Sequence, residues 1–219
     1  MRTFVRGVGQ LLITAGLVIL LFTVYELYGT GIATSRAQGS LTRELHQRWK
    51  QPEPPHQRGV VTPARPGAGL AMLRIPRLGK GWIKVVVEGV SPPDLRRGPG
   101  HYPGSALPGQ IGNFAVAGHR ATHGNGFLRM NEMREGDAVV VETRDMWFTY
   151  RVTSSKVVDP TDVAVIAAVP DRPGVRPTER VITLTTCDPL YAATHRLIVH
   201  GLLESAGPKS AGPPAALTG

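Results

Sequence analysis

From Leu11 to Tyr25 the chain reads LLITAGLVILLFTVY, without one charged side chain. Val8 and Gly9 precede this run, Glu26 interrupts it and Leu27-Tyr28 follow. The apolar stretch over 8–28 has about the 20 residues that a helix needs to cross roughly 30 Å of hydrocarbon. Gln10 and Glu26 then fall near the two interfaces, with Tyr25 and Tyr28 as interfacial aromatics. A cleaved signal peptide would carry a shorter apolar region and a small-x-small site, of which Ala33-Thr-Ser-Arg-Ala37 is a poor version. The expectation is one transmembrane helix over 8–28. Residues 1–7 hold Arg2 and Arg6 and no acid, which favours a cytoplasmic N-terminus and an extracellular remainder.

The remainder divides by composition. Residues 29–68 are rich in Gly, Ser, Gln, Pro and bases, and Gln51-Pro-Glu-Pro-Pro55 favours extended polyproline chain. Leu41–Lys50 alone has a short-helix pattern. With so few apolar groups to offset its ordering entropy, 29–68 is expected to be a flexible basic stalk. The Ala/Gly/Pro-rich 205–219 is expected to be a disordered tail. Between them, 69–204 is long enough for one domain with its own core.

Charge narrows the partners. The chain carries 25 Lys+Arg against 16 Asp+Glu, a net +9. Residues 29–70 hold six bases and two acids, whereas 71–204 hold 16 bases and 13 acids. The folded part is nearly balanced and has no basic stripe with interleaved aromatics, so nucleic acid is not expected as a partner. The basic segment beside the membrane suits anionic lipid or anionic wall polymer. A single Cys excludes an internal disulfide framework and a Cys-based zinc site.

The 69–204 region alternates like strands. Leu70–Ile75 stops at Pro76, and Trp82–Glu88 is β-branched and bounded by glycines. Ser91-Pro-Pro-Asp opens a short helix. Gly98–Gly112 is a Gly/Pro loop, and Asn113–Ala117 is an apolar strand running into Gly118-His119-Arg120. Phe127–Met133 suits a helical turn. Asp137–Thr143 and Trp147–Val158 flank a tight turn at Arg144-Asp145. Pro170–Pro177 is a loop, Arg180–Thr186 a strand, and Thr194–Leu203 the last strand. Roughly eight short strands with closely spaced turns predict a mainly β, closed barrel.

Chemistry converges on Cys187, placed at a strand end because Pro189 cannot continue a central strand. A lone Cys is often a small core hydrophobe. In an exported domain, however, a spare thiol is a liability unless used. To act as a nucleophile the thiol needs a base. His46, His56, His101 and His123 read as solvated stalk or loop residues. His119, His195 and His200 are the candidate bases. Arg196, nine residues past Cys187, lies where a strand, a turn and an antiparallel return bring residues side by side. A guanidinium there can stabilise a tetrahedral oxyanion.

The order His119, then Thr183-Leu-Thr-Thr-Cys187, then Arg196 resembles the signature of the sortase family, over about residues 70–204. The resemblance implies an eight-stranded sortase-type β-barrel with short helices behind one membrane helix. It implies a cysteine transpeptidase that cleaves a C-terminal sorting signal of secreted proteins through a thioacyl-enzyme. The product passes to an amine of the peptidoglycan precursor. By the same resemblance His119 is the general acid/base, Cys187 the nucleophile and Arg196 the oxyanion stabiliser, while Thr186 lines the substrate groove. Gly98-Pro-Gly-His-Tyr-Pro-Gly104 and Gly112-Asn-Phe-Ala-Val-Ala-Gly-His-Arg120 are similar to the class E, housekeeping sortases of actinobacteria. In that class a tyrosine here, Tyr102, is associated with preferring LAxTG over LPxTG. A phenol can bond a peptide N–H that proline lacks. Glu132, Glu135 and Asp137 read as a polar turn rather than a calcium site, so neither metal nor cofactor is expected.

Rival readings differ in order and geometry. A papain-like hydrolase places Cys before His on a helix. An L,D-transpeptidase wants a nucleophile soon after His-Gly, and His123-Gly124 has none. A non-catalytic wall-binding module would not need Cys187.

Overall fold

In the computed structural model, which describes residues 2–25, 30–52 and 61–218, the β-branched runs close into a barrel. Its strands are β1 (Gly69–Arg74), β2 (Ile83–Glu88), β3 (Gly100–His101), β4 (Gly112–Ala117), β5 (Ala138–Glu142), β6 (Met146–Val158), β7 (Arg180–Asp188) and β8 (His195–Pro208). The order around the barrel is β1-β2-β3-β4-β7-β8-β6-β5, and β5 pairs back to β1. The β2/β3 and β4/β7 pairs are parallel; the others are antiparallel. Seven strands lie where alternation and turn residues put them. The eighth, β3, is only two residues long and sits inside the Gly/Pro segment expected as loop. A short helix α3 (Pro92–Leu95) follows Ser91 as expected.

Alternate residues fill the barrel: Ala71 and Leu73 from β1, Phe114 and Val116 from β4, Val139 and Val141 from β5, Ile182 and Leu184 from β7. β2 reads Val85-Val86-Val87 and is buried at all three positions. Val86 joins the interior, while Val85 and Val87 form a second cluster with Met72. A strand buried on both faces needs a cover on the outside.

That cover corrects the stalk expectation. Residues 30–50 form a helix, α2 (Thr30–Lys50), packed on β1 and β2. Leu41, Leu45 and Trp49 recur every four residues, so they share one helix face, and they meet Met72, Val85 and Val87. The same face carries polar anchors. Gln38 Oε1 accepts from Val85 N (2.8 Å), and Gln38 Nε2 donates to Val85 O (3.0 Å) and Arg97 O (2.8 Å). Thr34 Oγ1 donates to Arg96 O (2.8 Å). Mean hydropathy misled because half the docking face is polar and bonds backbone. The stretch Gln51-Pro-Glu-Pro-Pro55 falls mostly outside the described residues.

The disordered-tail expectation is corrected too. β8 continues past Glu204, pairing Ser205, Ala206, Gly207 and Pro208 with Thr149, Phe148, Trp147 and Met146 of the long β6. Lys209 then donates to the buried Glu142 Oε1 (2.6 Å) and lies 4.4 Å from the Trp49 ring centroid. Backbone pairing and one latch order a segment with no large apolar side chain before Leu217.

Ahead of the domain stands α1 (Arg2–Val24), an exposed helix of 23 residues whose most apolar 18-residue stretch has a mean hydropathy of 2.2, long and apolar enough to cross a membrane. It begins earlier than the expected 8–28, and Glu26, Leu27 and Tyr28 lie outside the described residues. The hydroxyls of Thr14 and Thr23 bond within the helix, donating to the carbonyls of Gln10 (3.0 Å) and Ile19 (2.8 Å). Without that bond each would cost free energy in hydrocarbon.

On α2, Leu41 and Leu45 are fully buried against Met72, Val85 and Val87. Leu45→Ala is expected to destabilise the detergent-solubilised chain by about 2–5 kcal/mol in urea unfolding; a flexible stalk would give no change. Lys209→Ala is expected to lower stability by about 1–2 kcal/mol through loss of the ring and carboxylate contacts.

Candidate active site

The site is built by three adjacent strands, β4, β7 and β8. In the parallel β4/β7 pair, Ala117 lies opposite Thr185. The pairing runs one step further, with Gly118 N donating to Thr185 O (3.0 Å) and Thr186 Oγ1 to Gly118 O (2.7 Å). His119 and Cys187 each follow two residues after an aligned pair, so they leave the same end of the barrel at the same level. In the antiparallel β7/β8 pair, Cys187 lies directly opposite Arg196. Cross-strand partners project to one side of a sheet.

The same registers sort the candidate bases. His200 lies opposite Thr183, four residues upstream of Cys187. It is buried in a polar chain in which Thr183 Oγ1 donates to Asn113 Oδ1 (2.8 Å) and contacts His200 Nδ1 (2.9 Å). His195 pairs with Asp188 and is exposed. That leaves His119, half-buried at the mouth. Gly118 before it has a structural reason: a Cβ there would lie 2.5 Å from Phe127 Cδ2, against a ring that is wholly buried.

Electrostatics favour neutral His119. Burial, the neighbouring His123 and Arg96 all hold its pKa below the ordinary value of 6.5. The rings of His119 and His123 stack at 4.6 Å, so His123 is part of the site rather than loop surface. Helix α2 borders this corner, where Thr34 and Gln38 line a small pocket with both imidazoles.

Cys187 is the free thiol, half-exposed at the end of β7. Arg120, buried beside His119, donates to Cys187 O (3.3 Å) and forms an ion pair with Asp188. The residue after the imidazole is thus clamped to the residue after the thiol. Arg196 Nη1 donates to Ala193 O (3.1 Å) and His195 O (2.9 Å), which tethers the guanidinium to the β7–β8 turn.

Tyr102 is half-buried, and its OH lies 3.1 Å from Thr185 Oγ1, two residues before the thiol. With Ser105, Ile111, Asn113, Ile166 and Ala168 it lines a cleft of about 510 Å³. Thr186 departs from the expectation that it lines the groove. It is 3% exposed and its hydroxyl is committed to Gly118 O, so it braces the His119 strand from behind. Also corrected is His101, expected as a solvated loop residue: it is 2% exposed and paired with Glu88. Sequence reading missed Arg120, His123 and Glu88. Only the adjacency of Arg120 to His119, and of Asp188 to Cys187, was a local signal.

A closed β-barrel with one thiol at a strand end, a histidine on the parallel neighbour and an arginine on the antiparallel one defines a class of cysteine-dependent domain. The sortase domain family matches residues 73–204. The chain is 36% identical to sortase SrtE1 of Streptomyces coelicolor, in an alignment covering 97% of this chain and 60% of that relative's length. The structure of sortase E from Streptomyces avermitilis superposes with a TM-score of 0.65 at 46% identity, covering 70% of this chain and 99% of that one. Sortase E1 of Streptomyces coelicolor, solved with a tripeptide in its active site, gives 0.64 and 40%, with coverages of 71% and 99%. The chain belongs to the sortase family, on its class E side.

The His119 imidazole is expected to titrate by NMR with a midpoint below 6.5. His123→Ala removes a like charge and some burial, both of which lower it, so the midpoint moves up; a downward move would contradict this electrostatic account.

Proposed function

We propose that this chain is a membrane-anchored cysteine transpeptidase. It cleaves a C-terminal LAxTG/LPxTG-type sorting signal of secreted proteins and joins them to an amine of the peptidoglycan precursor. What supports the reading is register: His119 and Cys187 each stand two residues past the aligned pair Ala117 and Thr185, and Arg196 lies opposite Cys187. Sortase E1 solved with a tripeptide in its active site supports a peptide as the substrate class.

Neutral His119 takes the proton of Cys187. The thiolate Sγ attacks the scissile carbonyl carbon, and the Arg196 guanidinium meets the oxyanion. Collapse of the tetrahedral intermediate expels the amine, which receives the proton from His119. The acyl group stays on Sγ as a thioester. The acceptor amine then attacks that carbon, gives its proton to His119 and releases the thiolate. Arg120 and Asp188 hold the two reacting side chains at one height. Tyr102, on the cleft wall, bonds the backbone N–H at the alanine position of LAxTG; proline has none there. The 23-residue α1 anchors the domain, with the N-terminus in the cytoplasm and the barrel facing the wall.

The test is incubation of the detergent-solubilised chain with LAxTG and LPxTG peptides and an amine. Thiol-dependent exchange is expected. Cys187→Ala abolishes it, and His119→Ala and Arg196→Ala lower kcat/KM by about 10²–10⁴-fold and 10²–10³-fold. Cleavage that survives Cys187→Ala overturns the proposal. Cleavage without amine incorporation leaves a peptidase and removes the transfer step. Tyr102→Ala is expected to erase the preference for the alanine peptide.

A further inference from the structure

We propose that Glu88, His101 and Ser105 are positioning residues for substrate selection: a buried polar bracket that sets the place of Tyr102 on the cleft wall. The proposal rests on the reading that Tyr102 discriminates the sorting signal.

Glu88 ends β2 and His101 ends β3, and the two lie opposite each other in the parallel pair. Glu88 is 8% exposed and His101 2%. Glu88 Oε2 lies 2.9 Å from His101 Nδ1, and His101 Nε2 lies 2.8 Å from Ser105 Oγ. Ser105 carries the bracket to the Tyr102 peptide, whose other side is held by β4. The Tyr102 carbonyl accepts from Ser105 Oγ (2.8 Å) and Ser105 N (3.0 Å), while its own N–H donates to Ala115 O (3.0 Å). The imidazole stacks on Phe114 at 5.3 Å, which fixes its plane. The phenol is thereby aimed at Thr185 on β7.

The carboxylate–imidazole–hydroxyl order copies a hydrolase triad, but the donors run the wrong way for one. Ser105 has one hydrogen, and Tyr102 O, a pure acceptor, receives it. His101 Nε2 therefore donates to Ser105 Oγ, and also faces Ala106 O at 3.2 Å. A nitrogen already carrying hydrogen takes no proton from serine. Apolar side chains would fill this space without the desolvation cost of a carboxyl and an imidazole. What only the polar chain supplies is a directed hold on the Tyr102 peptide.

The experiment measures kcat/KM of the full chain in detergent for LAxTG and LPxTG peptides. Ser105→Ala and Glu88→Ala are expected to lower the LAxTG:LPxTG ratio at least fivefold, with the loss in KM for the alanine peptide. Glu88→Gln, whose amide can donate to Nδ1 and keep hydrogen on Nε2, is expected to retain the ratio. Ser105→Ala added to Tyr102→Ala should lower it no further. An unchanged ratio in Ser105→Ala, with a collapsed ratio in Tyr102→Ala, overturns the bracket and spares the Tyr102 reading. An unchanged ratio in Tyr102→Ala overturns both. Should Ser105→Ala lose its cooperative melt, Ser105→Thr decides: it keeps the hydroxyl, so a retained ratio supports the bracket and a collapsed one refutes it.

Discussion

Parallel strands cannot be joined by a tight turn, so the pairing of β4 with β7 must be assembled across the whole of β5 and β6. The register matches six residues of one strand with six of the other, Gly112–Ala117 with Arg180–Thr185. A slip of one residue would turn Phe114 and Val116 out of the core while moving His119 off the level of Cys187. Core packing and the alignment of His119 with Cys187 are therefore the same constraint. The Thr186 hydroxyl on Gly118 O and the Arg120–Asp188 ion pair extend it past the last ladder bond, where strand pairing alone would fray.

The outside of the barrel follows a different rule. Its exposed faces are covered by segments with little hydrophobicity of their own. Helix α2 offers Leu41, Leu45 and Trp49, but Gln38 pairs with the Val85 backbone as another strand would. The C-terminal strand offers backbone, then Lys209, which joins Trp49 to the buried Glu142. Arg74 adds a second cation on that carboxylate. Helix α2 and the segment around Lys209 thus meet on one side of the barrel, and the other end of α2 reaches the His119–His123 corner.

The long strands were legible because alternation is a local signal; Cys187 stood out in the short run Thr183-Leu-Thr-Thr-Cys187, with His119 and Arg196 as candidates only by their order around it. β3 was not, since two residues between Pro99 and Tyr102 make no period. Of α2 only Leu41–Lys50 was legible, because the docking face of its first half is built on Thr34 and Gln38 and reads as polar. Arg120 and Asp188 stand next to His119 and Cys187 in the sequence, but nothing local says that they pair, nor that Glu88 reaches His101. Arg120 and Asp188 are 68 residues apart, and only the closed sheet brings them together. Polar pairing across sequence distance is set by register, and register is a property of the assembled barrel.

In the proposed mechanism Cys187 carries the acyl group between two amines. Mass spectrometry of the full chain, incubated with sorting-signal peptide and no acceptor, tests it most directly. The account predicts an adduct of the peptide's N-terminal fragment on Cys187, discharged when an amine is added. An adduct on another residue, or turnover of peptide with Cys187 unmodified at every time point, would contradict it.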